Sequence, residues 1–220
     1  MPINNTLKFN RAIVDATADL VCAYKLNMAF YEVQGIQGLE DLRDTVVYIS
    51  KTAPHALIIG AGAIGSFYGA ILKRAGCTVS AVVRSEYDAV KAHGFRFESP
   101  LGDISWKPDH LYKDGDRPDS TPDYVILATK VLPGSDRAGL VRPWVGEGTN
   151  IVLIQNGLDI ERELADAYPD NPIISCLAFV AVSRVAPGRI KHNAYGRLVM
   201  GRFPSGLDAH CEALRDLFVA

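Results

Sequence analysis

The 220-residue chain has no apolar run of the roughly 18–20 residues that a membrane-spanning helix needs. Its N-terminus lacks the uninterrupted apolar core of a secretory signal, and Asp15 and Asp19 fit a transit peptide poorly. Cys22, Cys77, Cys176 and Cys211 are scattered without a C-x-x-C pair, so buried thiols in a reducing compartment are expected rather than disulfides. No H-x-x-x-H pair occurs among the five histidines, and no metal site is expected. No G-x-x-x-x-G-K-[ST] occurs either, which disfavours a P-loop nucleotidase. With 23 basic against 25 acidic residues and no basic run, a nucleic-acid partner is not expected. A cytoplasmic globular protein is left, with 48% hydrophobic and 22% charged residues.

Within that frame, residues 56–84 (ALIIGAGAIGSFYGAILKRAGCTVSAVVR) read as strand, glycine-rich turn, helix and second strand. Gly60 permits a sharp exit from the strand, and Gly62 lets backbone approach a phosphate with no Cβ in the way. Gly65 lets the helix pack closely on the sheet. The amides of its first turn, around Ala61, Ala63 and Ile64, then face the anion. A G-x-G-x-x-G triplet alone is weak. The apolar run Ala56–Ile59 before it, the amphipathic Ala63–Ala75 and the β-branched Thr78–Val83 give it weight as a dinucleotide site.

The end of the second strand selects the dinucleotide. A site for NAD or FAD usually carries Asp or Glu there, to accept hydrogen bonds from the ribose hydroxyls. Here Arg84 stands 19 residues beyond Gly65. A guanidinium pairs with a 2′-phosphate that a carboxylate would repel, so NADP is the expected cofactor. The same arginine speaks against a methyltransferase, which needs an adenosine-binding carboxylate.

The remaining chain alternates strands with helices, which implies a Rossmann-type α/β fold: a doubly wound, mainly parallel sheet behind a largely helical N-terminal extension. Helical spacing of apolar residues predicts a helix over about 10–33, broken by Gly35 and Gly38, then a short element over Leu39–Ser50 and a linker Lys51–Pro54. A helix is predicted over Glu86–His93, strands at Phe95–Glu98 and Ile104–Trp106, and a surface loop over Lys107–Thr121. Tyr124–Ala128 and Ile151–Ile154 are buried parallel strands flanking a helix over Asp136–Val145. Ile173–Val185 and Arg189–His192 read as antiparallel strands, and Leu207–Val219 as a final amphipathic helix. The divisions expected are 1–52 for the extension, 53–205 for the NADP-binding domain and 206–220 for the terminal helix.

Ligands in such sheets lie beyond the strand C-termini. Thr129 and Lys130 follow one buried strand; Gln155, Asn156 and Gly157 follow the next. Lys130 offers an ammonium to an anion, Asn156 both a donor and an acceptor, and Gly157 a tight turn beside a bound ring.

GAGAIGSFYGAILKRAG, VVRSEYDAV, DYVILATKV, IVLIQNGLD and the APGRIKH turn, in that order, resemble the ketopantoate reductase (2-dehydropantoate 2-reductase) family over roughly residues 55–205. The resemblance implies that Gly60, Gly62 and Gly65 hold the pyrophosphate and Arg84 the 2′-phosphate. Lys130 and Asn156 would lie along NADPH, with Asn156 nearest the reacting centre. It also implies reduction of a small 2-keto acid, ketopantoate, to pantoate on the route to pantothenate and coenzyme A. In that family a lysine on a C-terminal helical domain is the general acid, and residues of that domain bind substrate. No lysine follows Lys191 here, so the resemblance puts the general acid beyond Ala220 and no catalytic residue is assigned. A truncated chain is expected, binding NADP(H) but weakly active or inactive alone, with a helix and sheet edge that self-association would cover. Two alternatives stay open: a non-catalytic NADP-binding regulatory module, and a dehydrogenase of another 2-keto or β-hydroxy acid.

Overall fold

A computed structural model describes residues 6–18, 24, 26–52, 54–100 and 102–219. Among these described residues nine strands form one sheet, β1 (His55–Ile59), β2 (Thr78–Val82), β3 (Phe95–Glu98), β4 (Ile104–Trp106), β5 (His110–Tyr112), β6 (Tyr124–Leu127), β7 (Asn150–Leu153), β8 (Ile173–Ala186) and β9 (Arg189–Arg202). Their order is β4-β3-β9-β8-β7-β6-β1-β2-β5. The run from β5 to β8 is parallel throughout; β8 and β9 form an antiparallel hairpin, and β3 pairs parallel with β9.

Strand periodicity divides the core between the two faces. On β1, Ala56 and Ile58 join one apolar cluster while Leu57 and Ile59 join the other. On β6, Tyr124 and Ile126 divide from Val125 and Leu127 in the same way. Strands this apolar must be covered on both sides. The first face is closed by α4 (Ala63–Arg74), whose Ile64, Phe67, Tyr68, Ile71 and Leu72 fall at helical spacing, and by α8 (Ala209–Val219). The second is closed by α6 (Arg137–Val141) and α7 (Arg162–Ala167). Burial of each such Leu, Ile or Val contributes about 1.5–3 kcal/mol. Gly69 sets the closeness of α4 to the sheet, because a Cβ there would stand 2.5 Å from Ile58 Cδ1 and 2.8 Å from Trp106.

Ahead of the sheet, α1 (Thr6–Thr17), α2 (Met28–Glu32) and α3 (Gly35–Thr52) pack on one another around Val14, Tyr31 and Thr45. Asn10 Nδ2 donates to the Tyr31 hydroxyl at 2.8 Å and to Thr45 Oγ1 at 3.0 Å, joining the three helices.

The structure corrects several boundaries. One helix over 10–33 becomes α1 and α2, with the Asn27 side chain capping the Ala29 amide at 3.2 Å; residues 19–23 and 25 lie outside the described residues. Gly35 and Gly38 do not break a helix. Gly35, at φ +64°, begins α3, and Gly38 lies inside it where a Cβ would strike the Tyr31 carbonyl. The helix therefore runs through Lys51 and Thr52, which were expected to be linker, while Ala53 lies outside the described residues. The loop expected over 107–121 contains β5, the helix over 136–145 shortens to α6, and β9 continues ten residues past His192 to Arg202. α5 (Tyr87–His93) begins after Glu86 and stops at Gly94, whose φ of +70° no helix continues. The final helix starts at Ala209 rather than Leu207 and runs to Val219, and Ala220 lies outside the described residues.

Candidate functional site

Parallel register brings four strand ends level. Ile59 pairs with Val82 on one side and Leu127 on the other, and Leu127 pairs with Leu153. The ladder extends one residue further: the Gly60 amide donates to the Val82 carbonyl (3.3 Å), Ala128 to Ile59 (2.9 Å) and Ile154 to Leu127 (3.0 Å). Gly60, Val83, Ala128 and Ile154 thus form a row, and the segments leaving it carry every site residue expected from sequence.

The three glycines of the turn do different work. At Gly60 the backbone has φ +81°, and a Cβ would stand 2.6 Å from Thr129 Cγ2 and 2.9 Å from the Thr129 nitrogen. At Gly65 a Cβ would meet the Gly60 carbonyl at 2.7 Å and Ile58 Cγ2 at 2.9 Å. At Gly62 the nearest atom is the Gly60 oxygen at 4.0 Å. Two glycines are therefore demanded by the fold, and the third leaves room above the backbone.

That room lies at the N-terminus of α4. Gly62 is the N-cap and offers no side-chain oxygen. The amides of a first helical turn have no partner within the helix, so those of Ala63, Ile64 and Gly65 are available to an anion, with the helix dipole in its favour. Ala61 is buried, while Ala63 and Ile64 are half-buried. Ser66, which follows, is turned inward; its amide donates to the Gly62 carbonyl at 3.0 Å and its hydroxyl bonds the same oxygen.

Around this cradle, Arg84 and Ser85 are exposed at the end of β2. Lys130, Asn156 and Gly157 are exposed at the ends of β6 and β7. At Gly157 a Cβ would strike Ile160 Cγ2, so the chain passes close to that side chain. Gln155 is different. It is 7% exposed, and its Nε2 donates to the Thr129 carbonyl (2.7 Å) and to Thr129 Oγ1 (3.0 Å). Gln155 and Thr129 thus clamp adjacent strand ends beside Gly60, and Gln155 Oε1 is buried with no partner among the described residues. Among the described residues no cluster of His, Cys, Asp and Glu is set to hold a metal. The general-acid lysine expected beyond Ala220 has no counterpart among the described residues that follow Lys191.

Two residues near Arg84 carried no expectation. Register with β2 puts Lys113 just past β5, beside Val83, whose amide donates to the Tyr112 carbonyl at 3.0 Å. Tyr87 opens α5 with Lys113 Nζ 4.5 Å from its ring centre. The alternation His110-Leu111-Tyr112 after Pro108 is the one sequence signal that would have located this strand end.

The pattern of the ketopantoate reductase PanE/ApbA family matches residues 56–205. A 2-dehydropantoate 2-reductase of Nostoc is 33% identical over 149 residues, covering 68% of this chain and 46% of that protein. The solved 2-dehydropantoate 2-reductase of Methylococcus capsulatus superposes with a TM-score of 0.71 at 48% identity, covering 75% of this chain and 54% of that one. The chain thus spans about half the length of these relatives. A different kind of relative matches as well: 60 residues, 27% of this chain, are 50% identical to an orotidine 5′-phosphate decarboxylase of Herpetosiphon aurantiacus.

Proposed function

This chain belongs to the ketopantoate reductase PanE/ApbA family, and from that premise we propose that it is the NADPH-binding part of an oxidoreductase reducing a small 2-keto acid, 2-dehydropantoate, to its 2-hydroxy acid. The observation that carries the reading is the cradle: open space over Gly62 at the N-terminus of α4, with Arg84 at the neighbouring strand end. When bound there, NADPH supplies hydride. The chain's own residues bind and orient. First-turn amides from Ala63 to Gly65 hold the pyrophosphate, and Arg84 pairs with the 2′-phosphate. Lys130 and Asn156, both exposed at neighbouring strand ends, would lie along the cofactor, the ammonium serving an anion and the amide offering a donor and an acceptor. Gln155 holds Thr129, and through it the wall beside Gly60. No residue of this chain is assigned the proton donated to the new alkoxide, so turnover by the chain alone is expected to be weak or nil. The setting in this reading is the cytoplasm, supported by Cys77, Cys176 and Cys211, which are free and buried.

The test is a thermal melt of the chain titrated with NADPH and, in parallel, with NADH. A rise in melting temperature that is larger for NADPH, with the difference lost in Arg84→Ala, supports the reading. A cooperative melt that neither nucleotide shifts refutes it.

The reach of the family pattern supports a division of the chain into residues 1–52, the extension, 53–205, the NADP-binding domain, and 206–220, the terminal helix. The family pattern begins only at residue 56, and α1–α3 pack on one another while leaving Phe9, Phe30, Val33 and Ile36 exposed. A chain beginning at residue 54 should melt cooperatively and bind NADPH as the full chain does; loss of either would refute the division.

A further inference from the structure

We propose that Lys113, held over the ring of Tyr87, is a second cation for the adenosine 2′-phosphate and shares with Arg84 the discrimination between NADPH and NADH; this rests on the NADPH reading above. Three observations carry it. The first is placement. β5 pairs with β2 through Val82↔Tyr112, so Lys113 and Arg84 leave the sheet from adjacent parallel strands on the side where the glycine turn opens. Tyr112 fixes that strand end by packing its ring on buried Trp144, with centroids 5.1 Å apart.

The second is the posture of the lysine. Its ammonium lies 4.5 Å from the Tyr87 ring centre, and Lys91 Nζ lies 5.7 Å from the same ring. A ring face attracts a cation without neutralising it, which localises the charge and leaves the ammonium's donors to a ligand. Among the described residues neither Lys113 nor Arg84 forms a salt bridge. Lys73, by contrast, is closed off by Asp109 at 2.6 Å.

The third is what has been done with the nearby negative charge. Glu86, two residues past Arg84, is where a carboxylate would repel a 2′-phosphate. It is instead 5% exposed, paired with Arg184 and accepting from the Gly188 amide at 2.8 Å. Asp116 is engaged as well, its carboxylate accepting from the Lys113 amide at 2.7 Å. Asp88 and Asp114 are exposed and solvated. None of these carboxylates forms a salt bridge with Arg84 or Lys113 among the described residues, and a 2′-phosphate, with close to two negative charges, matches two cations better than one.

The experiment titrates the full chain with NADPH, NADH and adenosine 2′-monophosphate, following binding by nucleotide or protein fluorescence. Lys113→Met should weaken NADPH and adenosine 2′-monophosphate about tenfold, the loss of one charge-assisted contact, and leave NADH within about twofold. Tyr87→Phe should bind as the parent does, whereas Tyr87→Leu should lose part of the NADPH preference, as expected if the ring positions the lysine. If Arg84→Met loses the preference while Lys113→Met keeps it, the inference falls and the NADPH reading stands. If the parent chain binds NADH as tightly as NADPH, both fall. If Lys113→Met weakens both nucleotides equally, or lowers the melting temperature without nucleotide, the lysine is structural and the inference is overturned.

Discussion

Alanine at Gly60 and alanine at Gly62 should fail in opposite ways, although only one residue separates the two positions in the same turn. At Gly60 the backbone has φ +81°, which costs a residue with a Cβ about 1–2 kcal/mol. The new Cβ would also sit 2.9 Å from the backbone nitrogen of Thr129, an atom fixed in the adjoining strand end, and 2.6 Å from its Cγ2. Overpacking of that kind costs about 1–3 kcal/mol. The sum, about 2–5 kcal/mol, corresponds to a fall in melting temperature of roughly 5–15 °C for a chain of this size. At Gly62 φ is −77° and the nearest atom is 4.0 Å away, so Gly62→Ala should melt within a few degrees of the parent. Its methyl group would occupy the space through which a phosphate reaches the α4 amides. Loss of one charge-assisted contact, about 1.5–3 kcal/mol, should weaken NADPH roughly 10- to 100-fold. Differential scanning fluorimetry with and without NADPH reads both quantities. A Gly60→Ala chain that melts like the parent, or a Gly62→Ala chain that keeps its NADPH affinity, would refute the division of labour among the glycines.

Acid should destabilise the protein in two stages. Burial, and then neighbouring His110, hold His55 below its ordinary pKa of 6.5. As pH falls below that value the unfolded chain takes up a proton that the folded one resists, so the melting temperature should decline from about pH 6.5 downward, and less so in His55→Gln. Glu163 acts lower in pH: burial opposes its charge, but the Ala138 amide and the Arg137 guanidinium and amide outweigh this and hold the carboxyl below the usual 4.5. Its contribution is present above that value and lost as pH falls through the depressed one, so melting curves of the parent and Glu163→Gln should converge in acid. Burial pushes the Cys77 thiol up to about 11 and the Cys176 thiol up to about 12, so an alkylating reagent at pH 8 should label both only after denaturation, as read by peptide mass spectrometry. Gln155→Glu should lower the melting temperature more than Gln155→Met. The acid would set an oxygen against the Thr129 carbonyl where Nε2 now donates at 2.7 Å, whereas methionine removes the unpartnered Oε1 together with the donor; equal melts would show that the clamp does not order this strand end.

The parts legible in the sequence are those where one physical demand admits few residues. A covered parallel strand must be apolar on both faces, so His55–Ile59, Tyr124–Leu127 and Asn150–Leu153 are nearly continuous apolar runs. A turn that presses on Thr129 and Ile58 must be glycine at 60 and 65, and each of those two reasons is separately visible in the contacts. Where the demand is weaker, the sequence misleads. β5 has one neighbour and three residues, so the polar composition around it reads as loop. β9 was expected to end at His192, and the strand is irregular just beyond it. Tyr195 and Gly196 have φ of +67° and +148°, and the pairing with β8 slips around Phe179/Val180 and Ala181/Val182. In α3, Gly38 reads as a breaker, yet it is the residue that lets the helix meet the Tyr31 carbonyl. The candidate site divides along the same line. Its glycines and Arg84 follow from position after a strand, which periodicity reveals. The inward clamp of Gln155 and the arrival of Lys113 beside Arg84 follow only from register between strands distant in sequence. Position along a strand is written locally, whereas the company that a strand end keeps is set by the fold.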